Sequence, residues 1–88
     1  MNKQRRKRIA EIVEKLNNLA DEITTIKEEI EEVRDEEQEY LDNMPENLQA
    51  SEKYEMAENA VNALDSAVDN LDLIDIEEIT GSLEEAAE

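Results

Sequence analysis

An all-α fold is predicted, a long antiparallel helical hairpin of coiled-coil type that pairs with a second copy into a four-helix bundle. Three observations predict it: an unbroken apolar heptad from Ile9 to Tyr40, a single break around Pro45, and a second apolar face of helical period after that break.

The apolar residues of the first half fall at Ile9, Ile12, Leu16, Leu19, Ile23, Ile26, Ile30, Val33 and Tyr40. Steps of three and four place Ile9, Leu16, Ile23 and Ile30 at heptad position a, and Ile12, Leu19, Ile26, Val33 and Tyr40 at position d. A supercoiled helix of about 3.5 residues per turn keeps a and d on one edge, so Ile9 through Val33 form the expected self-association seam. The elements expected are a basic arm over 1–8, a first helix over 9–42, a turn over 43–50, a second helix over 51–80 and a tail or short helix over 81–88.

The arm carries Lys3, Arg5, Arg6, Lys7 and Arg8, and cations at a helix N-terminus oppose its macrodipole, so fraying is expected there. From Ile9 to Leu41 neither Gly nor Pro interrupts the chain. Glu11 and Lys15 support this helix, whereas Glu28 with Glu32, Glu32 with Glu36 and Asp35 with Glu39 are like-charge neighbours that each cost a few tenths of a kcal/mol. Pro45 ends the first helix, because it has no N–H and clashes with the turn before it, yet it fits the first turn of a new helix. Asn43 with Glu46 reads as a capping box there, and Ser51 offers a second start.

Leu48, Tyr54, Ala57, Val61, Leu64, Val68 and Leu71 then recur at helical spacing among small alanines. Ile74, Ile76, Ile79 and Leu83 extend the face, with Gly81 as the expected break and Ser82 to Glu85 as a weak capping box. A turn near residue 44 would set residue k opposite residue 88 − k, bringing Arg5 to Arg8 beside Glu77, Glu78, Glu84 and Glu85. Glu37 falls at an a position and Asp75 on the second buried face; either the seam opens near the turn or these two fix register in an oligomer. Tyr40 and Tyr54 flank the turn, where they either stack as an apolar plug or serve as a binding hot spot.

Composition narrows the function. The 88 residues make one small domain, without Cys to staple it and with only two aromatic residues, which leaves oligomerisation as the means of enlarging the core. With no His and no Cys, general-base imidazoles, most zinc sites and thiol chemistry are unavailable; a single Gly rules out glycine-rich phosphate loops. No enzyme activity, metal or cofactor is therefore expected. No apolar run approaches the roughly 18 residues that cross a bilayer, so a soluble intracellular protein is expected.

Charge is the second strong feature. Net charge is −17, and with five of the nine cations in residues 1–8 the remainder holds four cations against 26 carboxylates, a net of −22. One acidic row, Glu28, Glu32, Asp35, Glu39 and Asp42, runs along the side of the helix opposite the seam; a second runs Asp65, Asp69, Asp72. Carboxylates about one helical turn apart, roughly 5.4 Å, resemble the phosphate spacing of a nucleic-acid strand, so these rows are candidates for binding a basic protein surface. The plainer alternative is that they are solvated outer faces. Arg5, Arg6, Lys7 and Arg8 are candidates for gripping a phosphate, the alternative being neutralisation by the acidic C-terminus. Duplex nucleic acid as a direct partner is disfavoured, since the bulk of the chain repels it.

The turn sequence Tyr40-Leu41-Asp42-Asn43-Met44-Pro45-Glu46-Asn47-Leu48-Gln49, with Ser51-Glu52 after it and Arg5-Arg6-Lys7 before it, resembles that of small acidic helical proteins encoded by tailed bacteriophages and prophages. The resemblance covers most of the chain, its distinctive motif is the turn, and it carries over no functional residue. It implies a bacterial host cytoplasm and tasks such as inhibiting host defence enzymes, sequestering nucleotides or assisting assembly. The leading expectation is a phage-type inhibitor of a host protein, acting through its acidic, nucleic-acid-like face. The alternatives are a homo-oligomeric structural, assembly or adaptor protein acting through the seam, and a nucleotide sponge using the basic arm.

Overall fold

The computed structural model describes all 88 residues. It is all-helical, without a strand: α1 spans Lys3–Asp42, a short 3₁₀ turn Glu46–Leu48, α2 Glu52–Asp72 and α3 Ile76–Ala86. These elements fall into two compact units, one built of Ile26–Leu73 and the other of Met1–Thr25 with Ile74–Glu88.

Helix α1 starts at Lys3 and not at Ile9. Asn2 caps it: its Oδ1 accepts the Arg5 N–H at 2.8 Å and its carbonyl accepts the Arg6 N–H at 3.1 Å. A side-chain acceptor at the N-cap satisfies a donor that would otherwise be orphaned, which favours the helix despite the cations of its first turns. The arm expected over 1–8 is thus the start of α1.

In the unit Ile26–Leu73, the end of α1 and the start of α2 share a small core. Leu41, Ala57 and Val61 are buried together, with Tyr54 packed against them. The connection differs from the expected one. Pro45 is extended (φ −59°, ψ 148°) and precedes a single 3₁₀ turn, so Asn43 does not cap α2. Ser51 does, its Oγ accepting the Tyr54 N–H at 3.3 Å. Glu52 and Glu55 fill the first turn of α2, where the helix dipole favours acids. This longer connection moves the register by eleven residues, because Arg34 meets Asp65 and Lys27 meets Asp72, which pairs residue k with 99 − k and not with 88 − k.

The inward face of α1 is also set differently from the expected seam. Position a points in, with Ile9, Leu16, Ile23, Ile30 and Glu37 half-buried, and so does position e, where Val13, Ala20, Lys27 and Arg34 are half-buried and Leu41 is buried. Position d does not. Ile12, Leu19, Ile26, Val33 and Tyr40 remain 45, 43, 46, 52 and 51 % exposed. The reason is geometric: a helix packed on a neighbour through positions a and e turns d away by roughly a quarter of the circumference. Tyr40 and Tyr54 accordingly part company, Tyr54 joining the core and Tyr40 facing outward.

In the unit of Met1–Thr25 with Ile74–Glu88, α3 is the second helix. It starts at Asp75, whose carboxylate accepts the Glu78 N–H at 3.0 Å. Asp75 is therefore an exposed N-cap and not a buried residue, and the break falls at 73–75, not at Gly81. Ile76 and Thr80 are buried and Leu83 and Ala87 half-buried, at steps of four, three and four that define one inward edge. The Thr80 hydroxyl is satisfied within its own helix by donating to the Glu77 carbonyl at 3.1 Å.

Gly81 lies inside α3 with no positive φ, and a Cβ built on it meets nothing within 4 Å. Gly in an exposed helix interior costs conformational entropy that Ala does not. Gly81→Ala should raise stability by about 0.5–1 kcal/mol in urea unfolding.

Candidate functional site

The outer surface of α1 is the part of the molecule with unspent chemistry. Glu28, Glu32, Asp35, Glu39 and Asp42 are all exposed along it. They follow from the heptad, since positions c and f lie away from the inward a and e edge. Asp35 is partly neutralised, because Arg34 Nε and Nη2 donate to its Oδ1 at 3.2 and 3.1 Å. Asp42 accepts from Gln38 Nε2 at 2.9 Å. Glu28, Glu32 and Glu39 have no cation within ion-pair distance, for the three ion pairs of the molecule are Lys27 with Asp72 and Arg34 with Asp35 and Asp65.

The second acidic row divides. Asp65, half-buried, accepts from Arg34 Nη1 at 3.0 Å, and Asp72 meets Lys27 Nζ at 2.7 Å. Both are committed to holding α2 on α1, which leaves Asp69 as the one unpaired member of that row. Lys27 and Arg34 are thus structural residues whose role the heptad pattern alone does not show. A signal was present: the two cations stand seven residues apart at position e, and Asp65 and Asp72 stand seven apart on α2, so an antiparallel pairing satisfies both at once.

The hydrogen bond and charge of Asp72 hold the Lys27 ammonium above its ordinary value of 10.5. The Arg34 guanidinium is raised likewise, first by its hydrogen bond to Asp35 and then by that to Asp65. A raised folded value means stabilisation that is complete below the ordinary one and fades as pH rises through the folded one. The urea midpoint of Lys27→Met relative to the parent should therefore hold steady through neutral pH and shift in the variant's favour as pH passes 10.5.

The basic residues behave unevenly. Arg6 reaches the C-terminal end of α3, its Nε donating to the Ala87 main-chain oxygen at 2.9 Å and Nη2 to that of Glu88 at 3.3 Å. A cation suits the unsatisfied carbonyls at a helix C-terminus. The expected partners Glu77, Glu78, Glu84 and Glu85 form no ion pair with Arg5, Arg6, Lys7 or Arg8, since the acceptors are carbonyls one turn further on. Arg5, Lys7 and Arg8 are exposed.

Beside the turn lies an open cup of about 820 Å³ lined by Tyr40, Met44, Pro45 and Leu48, with Glu36, Glu39, Glu52 and Lys53 also contributing. Its apolar floor is what the 3₁₀ turn leaves uncovered. No three carboxylates converge to hold a metal ion, and no helix is long and apolar enough to cross a membrane.

These features define an all-helical protein with an acidic and partly apolar outer surface on its longest helix. Compared with models of protein families, with curated proteins and with solved structures, the chain matches none.

Proposed function

We propose that this chain is a non-enzymatic binding protein that lays the acidic side of α1 on a basic protein surface, in the manner of a phage-type inhibitor of a host protein that handles nucleic acid. The observation that carries the reading is the uncompensated row Glu28, Glu32 and Glu39, exposed on a chain of net charge −17 whose nearby cations are already taken up, Lys27 by Asp72 and Arg34 by Asp65 and Asp35. Charge of one sign concentrated on one face raises the association rate with an oppositely charged surface and makes binding salt-dependent. Affinity capture from a bacterial lysate, washed at low and high salt, tests it. Recovery of a basic protein that salt and added DNA both release supports the reading; recovery of nothing beyond the chain itself counts against it.

A second reading is favoured by the d row. Five large apolar side chains left outward at seven-residue intervals exceed what a chain of this size usually leaves scattered, and contiguous apolar surface of that kind marks an association site. In that reading α1 and α2 form an antiparallel hairpin, and the chain is a homo-oligomeric structural or adaptor protein whose copies meet through α1.

A further inference from the structure

Helix α1 carries apolar residues at three heptad positions, a, d and e, yet a and e alone are covered by the chain's own helices. What meets the outward row Ile12, Leu19, Ile26, Val33 and Tyr40 is selected by the charges beside it. Residues 3–15 hold six cations, Lys3, Arg5, Arg6, Lys7, Arg8 and Lys15, against Glu11 and Glu14. Residues 28–42 hold nine carboxylates against Arg34. A helix so polarised repels a copy lying parallel to it, cation end on cation end, and attracts one lying antiparallel. The row itself has the matching symmetry, with Ile26 at its middle and Ile12 and Tyr40 at its ends.

We infer that two copies pair through the d row of α1 in the antiparallel sense, with Ile26 on the two-fold axis, Leu19 opposite Val33 and Ile12 opposite Tyr40. This rests on the reading that the chain self-associates and adds which face is used and in which direction. A two-fold of this kind is isologous, so each contact is made twice. The exposed g positions beside the row then bring Lys15 of one copy near Glu36 of the other, while Glu22 and Glu29 meet as like charges near the middle. The pairing is attractive at both ends and repulsive at the centre.

The chain has no cysteine, so single cysteines report the geometry cleanly. Ile12→Cys and Tyr40→Cys proteins, mixed and oxidised mildly, should give the mixed 12–40 disulfide in excess of either same-site product. Same-site disulfides in excess would overturn the antiparallel sense while leaving self-association standing. Sedimentation equilibrium of the unmodified chain should give the mass of two copies, and a monomer across the accessible range would overturn the self-association reading along with the inference. Ile26→Asp, at an exposed site where the fold tolerates a charge, should weaken the dimer about thirtyfold or more with unchanged helical circular dichroism. Glu29→Lys should instead tighten it about two- to fivefold, and no change in either variant would show that this face is not the interface.

Discussion

Leu41→Ala should destabilise the chain by about 2–4 kcal/mol in urea unfolding, whereas Tyr40→Ala, one residue earlier, should change the stability of the single chain by no more than about 0.5 kcal/mol. Leu41 is 6 % exposed and packs on Ala57 and Val61; Tyr40 is 51 % exposed. A chain of this length holds roughly 4–13 kcal/mol in total, so the Leu41 change removes a large share of it. No side chain is buried below 2 % exposure, which leaves few other contacts to compensate. Leu41→Met, nearly equal in volume, should cost less than about 1.5 kcal/mol. The pair of neighbours also decides which heptad positions face inward, since a seam through a and d predicts the larger loss at Tyr40.

Reversing Glu28, Glu32 and Glu39 to Lys should abolish capture of the basic partner while leaving the fold intact. Each reversal removes an attraction and adds a repulsion, and the three together move the net charge from −17 to −11. The same change turns Glu32 with Glu36 and Asp35 with Glu39 from like-charge into opposite-charge neighbours, while positions 28 and 32 stay alike in charge, so thermal stability should hold or rise. Lost binding with a raised or unchanged melting temperature therefore assigns the effect to the surface and not to unfolding. Asp65→Lys and Asp72→Lys are the contrasting controls: both remove ion pairs that tie α2 to α1, and they should lower stability.

The helical class was plain in the sequence because the Ile9 to Tyr40 heptad is long and uninterrupted, and the break at Pro45 was equally plain from its missing N–H. Register was harder. It depended on whether α2 started at Asn43 or Ser51, and both residues are good caps; the choice was made by a 3₁₀ turn that no periodicity announces. The end of α2 is masked in the sequence for a related reason. Gly81 drew the break because glycine is a common stop, but Asp75 with Glu78 three residues later is the stronger start signal, and its side chain does cap α3. The seam was half legible: a heptad shows which residues share an edge, and only the packed structure shows that a and e, not a and d, meet the chain's own helices. Charged Lys27 and Arg34 hid position e, since a cation there looks like solvent-facing surface until its carboxylate partner is located.

The acidic face was legible as composition and spacing, and its outward placement in α1 follows from the same heptad. Its second row was not, because two of its three members, Asp65 and Asp72, are held by cations that lie thirty-one and forty-five residues away in sequence.

The proposed docking of the acidic side of α1 on the surface where a basic protein holds nucleic acid makes this chain a competitor of DNA. Fluorescence anisotropy of labelled duplex DNA, bound to the protein captured from the lysate, would be followed as this chain is added. Complete displacement is expected, weakened by salt and absent for the Glu28, Glu32 and Glu39 reversal. Anisotropy that stays at its starting value, or rises as all three components bind together, would show that the acidic side of α1 does not take the DNA surface.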